Sequence, residues 1–183
     1  MTSSDVVWVF GYGSLIWRPA IAYAARRAGR LDGWARRFWQ ASTDHRGTVE
    51  APGRVLTLVD EPPATVWGIA YAIERAAWPA IEAALELREQ QGYARLTVDI
   101  GLAVDACAGP VVEHVPGLLY VATADNPYFV GPEPLAATAE IVRQATGPSG
   151  RNLDYVIALD HALGEMQARD PEVSALAALL RSG

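Results

Sequence analysis

The chain changes character about two thirds of the way along, and that change limits the folds open to it more than any other feature. Up to about residue 123 it consists of short runs of Val, Ile, Leu and aromatic residues broken by Gly, Pro, Asp and Asn, which is the pattern of β-strands. Strands are expected at residues 6–10, Gly33–Ser42, Arg54–Asp60, Val66–Ile73, Tyr93–Ile100 and Leu118–Thr123. One helix interrupts them near Trp78–Arg88, opened by Pro79, where the missing N–H has no helical partner to lose. Further on, Pro134–Thr146, Asn152–Ala168 and Pro171–Arg181 are rich in Ala and Leu at helical spacing. Gly147-Pro148-Ser149-Gly150 and Asp170-Pro171 separate them. A strand-rich portion followed by packing helices predicts an α+β fold, with a small mixed β-sheet or β-barrel as its core. The 183 residues show no repeat and no low-complexity linker, so a single domain over residues 1–183 is expected.

Charge and composition narrow the partners. A formal charge of −6 argues against a nucleic-acid binder, which normally carries a basic excess on one face. Every basic side chain other than histidine is Arg. A single cysteine, Cys107, rules out an internal disulfide and points to a reducing compartment. There is no basic n-region followed by a cleavage site, and no apolar run nears the roughly 18–20 residues that span a bilayer. A cytoplasmic protein with no membrane contact is the resulting expectation.

The chemistry begins where the first strand ends, at Phe10-Gly11-Tyr12-Gly13-Ser14-Leu15. Two glycines let the backbone turn sharply and bring its N–H groups near a ligand, a ready cradle for an anion or a polarised carbonyl. The familiar Gly-rich motifs fail here. A dinucleotide fingerprint needs a third glycine where Ile16 stands, and a phosphate loop needs Lys. A nucleophile elbow needs Gly-x-Ser-x-Gly, which Gly13-Ser14-Leu15-Ile16-Trp17 does not supply. On its own the segment reads first as a tight turn between strand and helix.

Two further segments gather polar groups. Ser42-Thr43-Asp44-His45-Arg46-Gly47 packs a carboxylate, an imidazole and a guanidinium into one loop. His114 and His161 lie too far away in sequence to give zinc spacing with His45, so no metal site is expected. A Ser14–His45–Asp44 triad can be written, but an Asp adjacent to its His is poorly placed to orient it. Arg46 has the fork geometry that holds a substrate carboxylate. In Leu85-Glu86-Leu87-Arg88-Glu89-Gln90-Gln91-Gly92-Tyr93, Glu89 falls at the margin of the apolar stripe made by Trp78 and Leu85. A carboxylate there can be partly desolvated and become a useful base, but Arg88 projects nearer the centre of the apolar arc, and periodicity alone favours a solvated helix end.

Taken in order, the segments resemble a known family. The matching strings are residues 7–17, Arg36-Arg37-Phe38-Trp39-Gln40, the loop 42–47, residues 52–59 and Val66-Trp67-Gly68-Ile69-Ala70-Tyr71. Leu87-Arg88-Glu89 with Gly92-Tyr93, Asp125-Asn126-Pro127 with Gly131-Pro132, and Gly147-Pro148-Ser149-Gly150-Arg151-Asn152 complete the set. The chain resembles the ChaC-like, glutathione-specific branch of the γ-glutamylcyclotransferases. That resemblance implies a γ-glutamylcyclotransferase-like fold and cleavage of glutathione to 5-oxoproline and cysteinylglycine, with no metal and no organic cofactor. It implies Glu89 as the catalytic carboxylate and Tyr12, Gly13, Ser14 and Leu15 as the substrate-binding loop. Tyr93 matches the tyrosine that follows the catalytic carboxylate, and Arg46 joins the substrate-binding set. One departure stands out: where the family usually has Tyr after Asn-Pro and one variable residue, this chain has Phe129. Two other readings compete. A non-catalytic γ-glutamyl-binding protein on the same fold is disfavoured by the presence of Glu89, and a Ser14 hydrolase by the missing elbow.

Overall fold

A computed structural model describes residues 5–88 and 92–182. Five strands close into a barrel in the order β1-β3-β2-β4-β5. They are β1 (Val6–Gly11), β2 (Ala25–Ser42), β3 (Gly53–Glu74), β4 (Ala94–Leu102) and β5 (Glu113–Val121). All neighbours are antiparallel except β1 and β5, which run parallel with Trp8 opposite Gly117 and Phe10 opposite Leu119, and this pairing closes the ring. The β2–β4 contact is the shortest of the seams, limited to Gly29 opposite Leu102 and Arg30 opposite Gly101. The α1 helix (Trp78–Arg88) lies between β3 and β4, with Ile81 and Leu85 packed beside Val9, Ile73 and Tyr120.

The long middle strands differ from expectation. Arg54–Asp60 and Val66–Ile73 are two halves of one 22-residue strand, and Gly33–Ser42 is the second half of an 18-residue one that begins at Ala25. The break seen in the sequence is a bulge in the pairing. Between Asp32 and Trp34 on β2 the partners step from Thr65 to Asp60 on β3, and Gly33 supplies the positive φ of 82° at the turn of the ladder. Pro62 and Pro63 sit in the extra residues, where no ladder N–H is required. Their punctuation marks an irregularity inside a strand.

The remaining helices pack on one another and against the barrel. They are α2 (Leu135–Gln144), α3 (Asn152–Glu165) and α4 (Pro171–Arg181), with a two-residue ladder, β6 (Thr146–Gly147) and β7 (Gly150–Arg151), before α3. α4 shows why the sequence stops and starts as it does. Asp170 caps it by accepting from the Glu172 and Val173 N–H groups at 3.1 and 3.2 Å, and Pro171 opens the first turn. Its buried stripe is Val173, Leu176, Ala177 and Leu180, and each large side chain there contributes about 1.5–3 kcal/mol by leaving water. The three helices and the barrel share one apolar core. Among the described residues, no helix is long and apolar enough to cross a membrane.

Candidate active site

The turn that leaves β1 is held by its carbonyls. Tyr12 O accepts from Arg36 Nε at 3.0 Å, Gly13 O from Ile16 N at 2.9 Å and Ser14 O from Arg18 N at 2.8 Å. Leu15 O accepts from the Tyr71 hydroxyl at 2.6 Å. In a trans peptide the C=O and N–H point in opposite directions. Holding the first three carbonyls therefore turns the N–H groups of Gly13, Ser14 and Leu15 away from those donors. Gly11 is required by contact: a Cβ there would lie 2.6 Å from Leu15 Cβ. Tyr71 remains a donor, because burial raises its hydroxyl to a pKa of about 12.

In front of this turn lies a cavity of about 320 Å³. Tyr12, Gly13, Ser14 and Leu15 form one wall, and Arg46 and Tyr93 also line it. Six of the seven residues singled out from the sequence thus meet in one place, although they come from three separate segments. The seventh, Glu89, lies outside the described residues, which resume at Gly92. That resumption is anchored. Gly92 adopts φ +77°, and a Cβ on it would come within 3.0 Å of Asn126 Nδ2. Asn126 is itself buried and accepts from Gln40 Nε2 at 3.1 Å and from Tyr128 N at 2.8 Å.

Arg46 reaches the cavity from the loop after β2. Its backbone N–H donates to Ser42 Oγ at 3.0 Å, and its guanidinium donates to Arg151 O at 3.2 Å. The guanidinium carbon stands 5.5 Å from the centre of the Tyr155 ring, within cation–π range. Burial lowers the Arg46 pKa from its usual value; Tyr155 and Asp154 oppose that shift and Arg18 adds to it. Arginine stays charged at any physiological pH regardless. Among the described residues neither Arg18 nor Arg46 makes an ion pair with a carboxylate, so both guanidinium groups can meet an anionic ligand, and Asp44 adds one carboxylate to the same lining.

Several lining residues carry no local signal in the sequence. Arg18, Tyr120 and Tyr155 face the cavity, joined by Ser149 from the Gly147–Asn152 string. Tyr155 lies on α3 and reads there as a core aromatic; its hydroxyl comes within 3.2 Å of where a Gly13 Cβ would stand. α3 is pinned to the barrel by Asn152, which is fully buried and exchanges two hydrogen bonds with the Arg54 backbone at 2.6 and 2.9 Å. Those bonds give a physical role to the last residue of Gly147–Asn152. The Tyr120 hydroxyl is buried beside Arg95; burial raises its pKa and the neighbouring Arg95 opposes that shift.

The geometry also removes one alternative. His45 Nδ1 meets Ser149 Oγ at 3.0 Å and its Nε2 faces Asp44 at 3.7 Å, so both ring nitrogens are engaged away from Ser14. A Ser14–His45–Asp44 triad is not assembled. Phe129, the departure from the family pattern, packs edge-on against Trp39 with ring centres 6.1 Å apart and is not among the described residues lining the cavity. Among the described residues, no group of three His, Cys, Asp or Glu side chains gathers as a metal ion would require.

Comparison with known proteins places this geometry in context. The family model described as ChaC-like protein matches residues 7–182. The chain is 38% identical over 176 residues to human glutathione-specific gamma-glutamylcyclotransferase 1, covering 94% of this chain and 77% of the human one. It is 34% identical over 200 residues to the glutathione-specific gamma-glutamylcyclotransferase of Saccharomyces cerevisiae, covering 87% and 86%. A crystal structure of the γ-glutamyl cyclotransferase specific to glutathione from yeast superposes with a TM-score of 0.89 at 30% identity, covering 97% of this chain and 96% of that one.

Proposed function

Because this chain belongs to the ChaC-like family, we propose that it is a glutathione-specific γ-glutamylcyclotransferase, cleaving glutathione to 5-oxoproline and cysteinylglycine. The observation that carries the reading is the convergence of Tyr12–Leu15, Arg46 and Tyr93 on one cavity.

The reaction asks little covalent chemistry of the protein. The substrate's α-amino nitrogen attacks its own γ-carbonyl carbon, a five-membered lactam forms, and the bond to the cysteinyl nitrogen breaks. Nucleophile and electrophile share one molecule, so holding a bent conformer supplies much of the rate; well-aligned intramolecular pairs reach effective molarities of about 10⁵ M or more. The ammonium must lose one proton to solvent to become a nucleophile and a second as the lactam forms, and the departing nitrogen must gain one. Glu89 serves both steps, taking the proton from the attacking amine and returning it to the leaving amine.

The tetrahedral intermediate places negative charge on the γ-oxygen. The backbone N–H groups of the Tyr12–Leu15 loop are assigned to that oxyanion, and one such donor is commonly worth roughly 3 kcal/mol of barrier. The held carbonyls of the loop support this role, since the donors need not reorient as charge develops. Glutathione carries two carboxylates and one ammonium, and Arg46 is assigned to a carboxylate. Tyr93 is assigned to the γ-glutamyl end of the substrate.

The test is direct. Purified protein incubated with glutathione is expected to release 5-oxoproline and cysteinylglycine in equal amounts, and the Glu89→Gln variant almost none while still binding glutathione. Full activity in that variant would remove Glu89 as the base, and no 5-oxoproline from the native chain would remove the function.

A further inference from the structure

Arg36 is a buried cation that the reaction as written does not use. It is 2% exposed and ranks with the largest fully buried side chains of the barrel. Burying a guanidinium is unfavourable unless its donors are met, and here they are met by unlike groups. Nε donates to Tyr12 O at 3.0 Å, one terminal nitrogen to Trp67 O, and the other to Asp170 Oδ2 at 3.1 Å.

Asp170 does two things at once. Its Oδ1 caps α4 through the Glu172 and Val173 N–H groups, while Oδ2 takes the ion pair with Arg36. A helix cap alone would be served by one oxygen, and Asn caps as well as Asp. The second oxygen continues the connection inward, so one line of hydrogen bonds runs from the start of α4, through the guanidinium, to the Tyr12–Gly13 peptide. That peptide carries the Gly13 N–H on the wall of the cavity.

We infer that Arg36, oriented by Asp170, is a positioning residue that aims and polarises the Gly13 N–H for the oxyanion of the γ-carbonyl. A cation bound to a peptide oxygen draws electron density through the amide, making the N–H of the same peptide a stronger donor. It also fixes the plane, so the donor does not rotate away as the carbonyl becomes tetrahedral. The inference rests on the cyclotransferase reading and adds to it a contact on the side of the loop facing away from the substrate.

Three variants test it, each measured for kcat, KM and Tm with glutathione. Asp170→Asn keeps the helix cap and removes the charge that orients Arg36; kcat is expected to fall about three- to tenfold with KM within about twofold of native, the pattern of an interaction realised in the transition state. Arg36→Lys keeps the charge but lacks the planar fork that reaches both carbonyls, and is expected to lose about 30- to 100-fold in kcat. Arg181→Gln is the structural control: Arg181 at the end of α4 pairs with Asp160 on α3 at 2.8 Å, so its loss lowers Tm without moving kcat. An unchanged kcat in Asp170→Asn overturns the inference, whatever Arg36→Lys does and whether or not that variant folds. A native chain that makes no 5-oxoproline overturns the cyclotransferase reading and this inference with it, whereas an active native chain with fully active Asp170→Asn overturns the inference alone.

Discussion

The two sides of the turn after β1 are built to opposite rules. Behind it, away from the cavity, polar groups are buried and matched: Arg36 with Tyr12 O, Trp67 O and Asp170, and Tyr71 with Leu15 O. In front of it, Arg46 is half-buried, Arg18 is exposed, and among the described residues neither has a carboxylate partner. Matched groups behind fix a shape, and unmatched cations in front leave charge for a ligand to satisfy. Stability and binding are thus separated by the thickness of one loop, which makes the separation measurable.

The largest effect is expected at the assigned base. Glu89→Gln should lower kcat by about 10²–10⁴-fold, the usual contribution of a general base, with Tm unchanged in a thermal melt. A smaller change in kcat accompanied by a fall in Tm would place Glu89 with the structural groups. Next comes Arg46→Ala. Losing a charge-assisted contact worth about 1.5–3 kcal/mol should raise KM roughly ten- to a hundredfold in steady-state kinetics. Unchanged KM would take Arg46 out of the substrate site and blur the contrast.

Behind the loop the effects shrink and change kind. Tyr71→Phe deletes the donor to Leu15 O, which should cost about 1 kcal/mol of stability, seen as a Tm lower by about 2–4 °C. Its kcat should fall by less than about tenfold, since the other loop carbonyls stay held. Smallest is Glu133→Gln, at an ion pair neither of whose residues lines the cavity. Arg54 grips Glu133 with two hydrogen bonds at 2.7 and 3.0 Å and holds its carboxyl below the ordinary value of 4.5. Because the folded value is the lower one, the pair stabilises the protein above the ordinary value, and that contribution is lost as pH falls through the depressed one. Water still reaches this carboxylate, so the contribution is at most about 1 kcal/mol. Glu133→Gln should therefore lower Tm by a few degrees at pH 7, with the difference closing in acid and kcat unaffected.

What could be read in the chain followed the range of the forces involved. β1, α1 and α4 appear close to where their apolar spacing and capping residues place them, because those signals lie within a few residues. The join of two expected strands into β3 was hidden, since Pro62-Pro63 looks like a terminus and only the β2 register makes it a bulge. The site divides in the same way. Tyr12–Leu15, Arg46 and Tyr93 sit in segments with turn chemistry or recognisable motifs, so they were nameable from the chain. Arg18, Tyr120 and Tyr155 reach the cavity only because barrel closure and the Asn152–Arg54 bonds bring their elements there. Arg36 sat inside a recognised string, Arg36-Arg37-Phe38-Trp39-Gln40, without any sign that its partner would be 134 residues away.

The central claim is that the γ-carbonyl is attacked by the substrate's own amine rather than by water or by Ser14. Running the reaction in H₂¹⁸O and analysing the products by mass spectrometry tests it most directly. Intramolecular attack retains the original γ-oxygen, so the account predicts unlabelled 5-oxoproline with an equal amount of cysteinylglycine. Glutamate carrying one ¹⁸O would mean that water reached the carbonyl, and would contradict it.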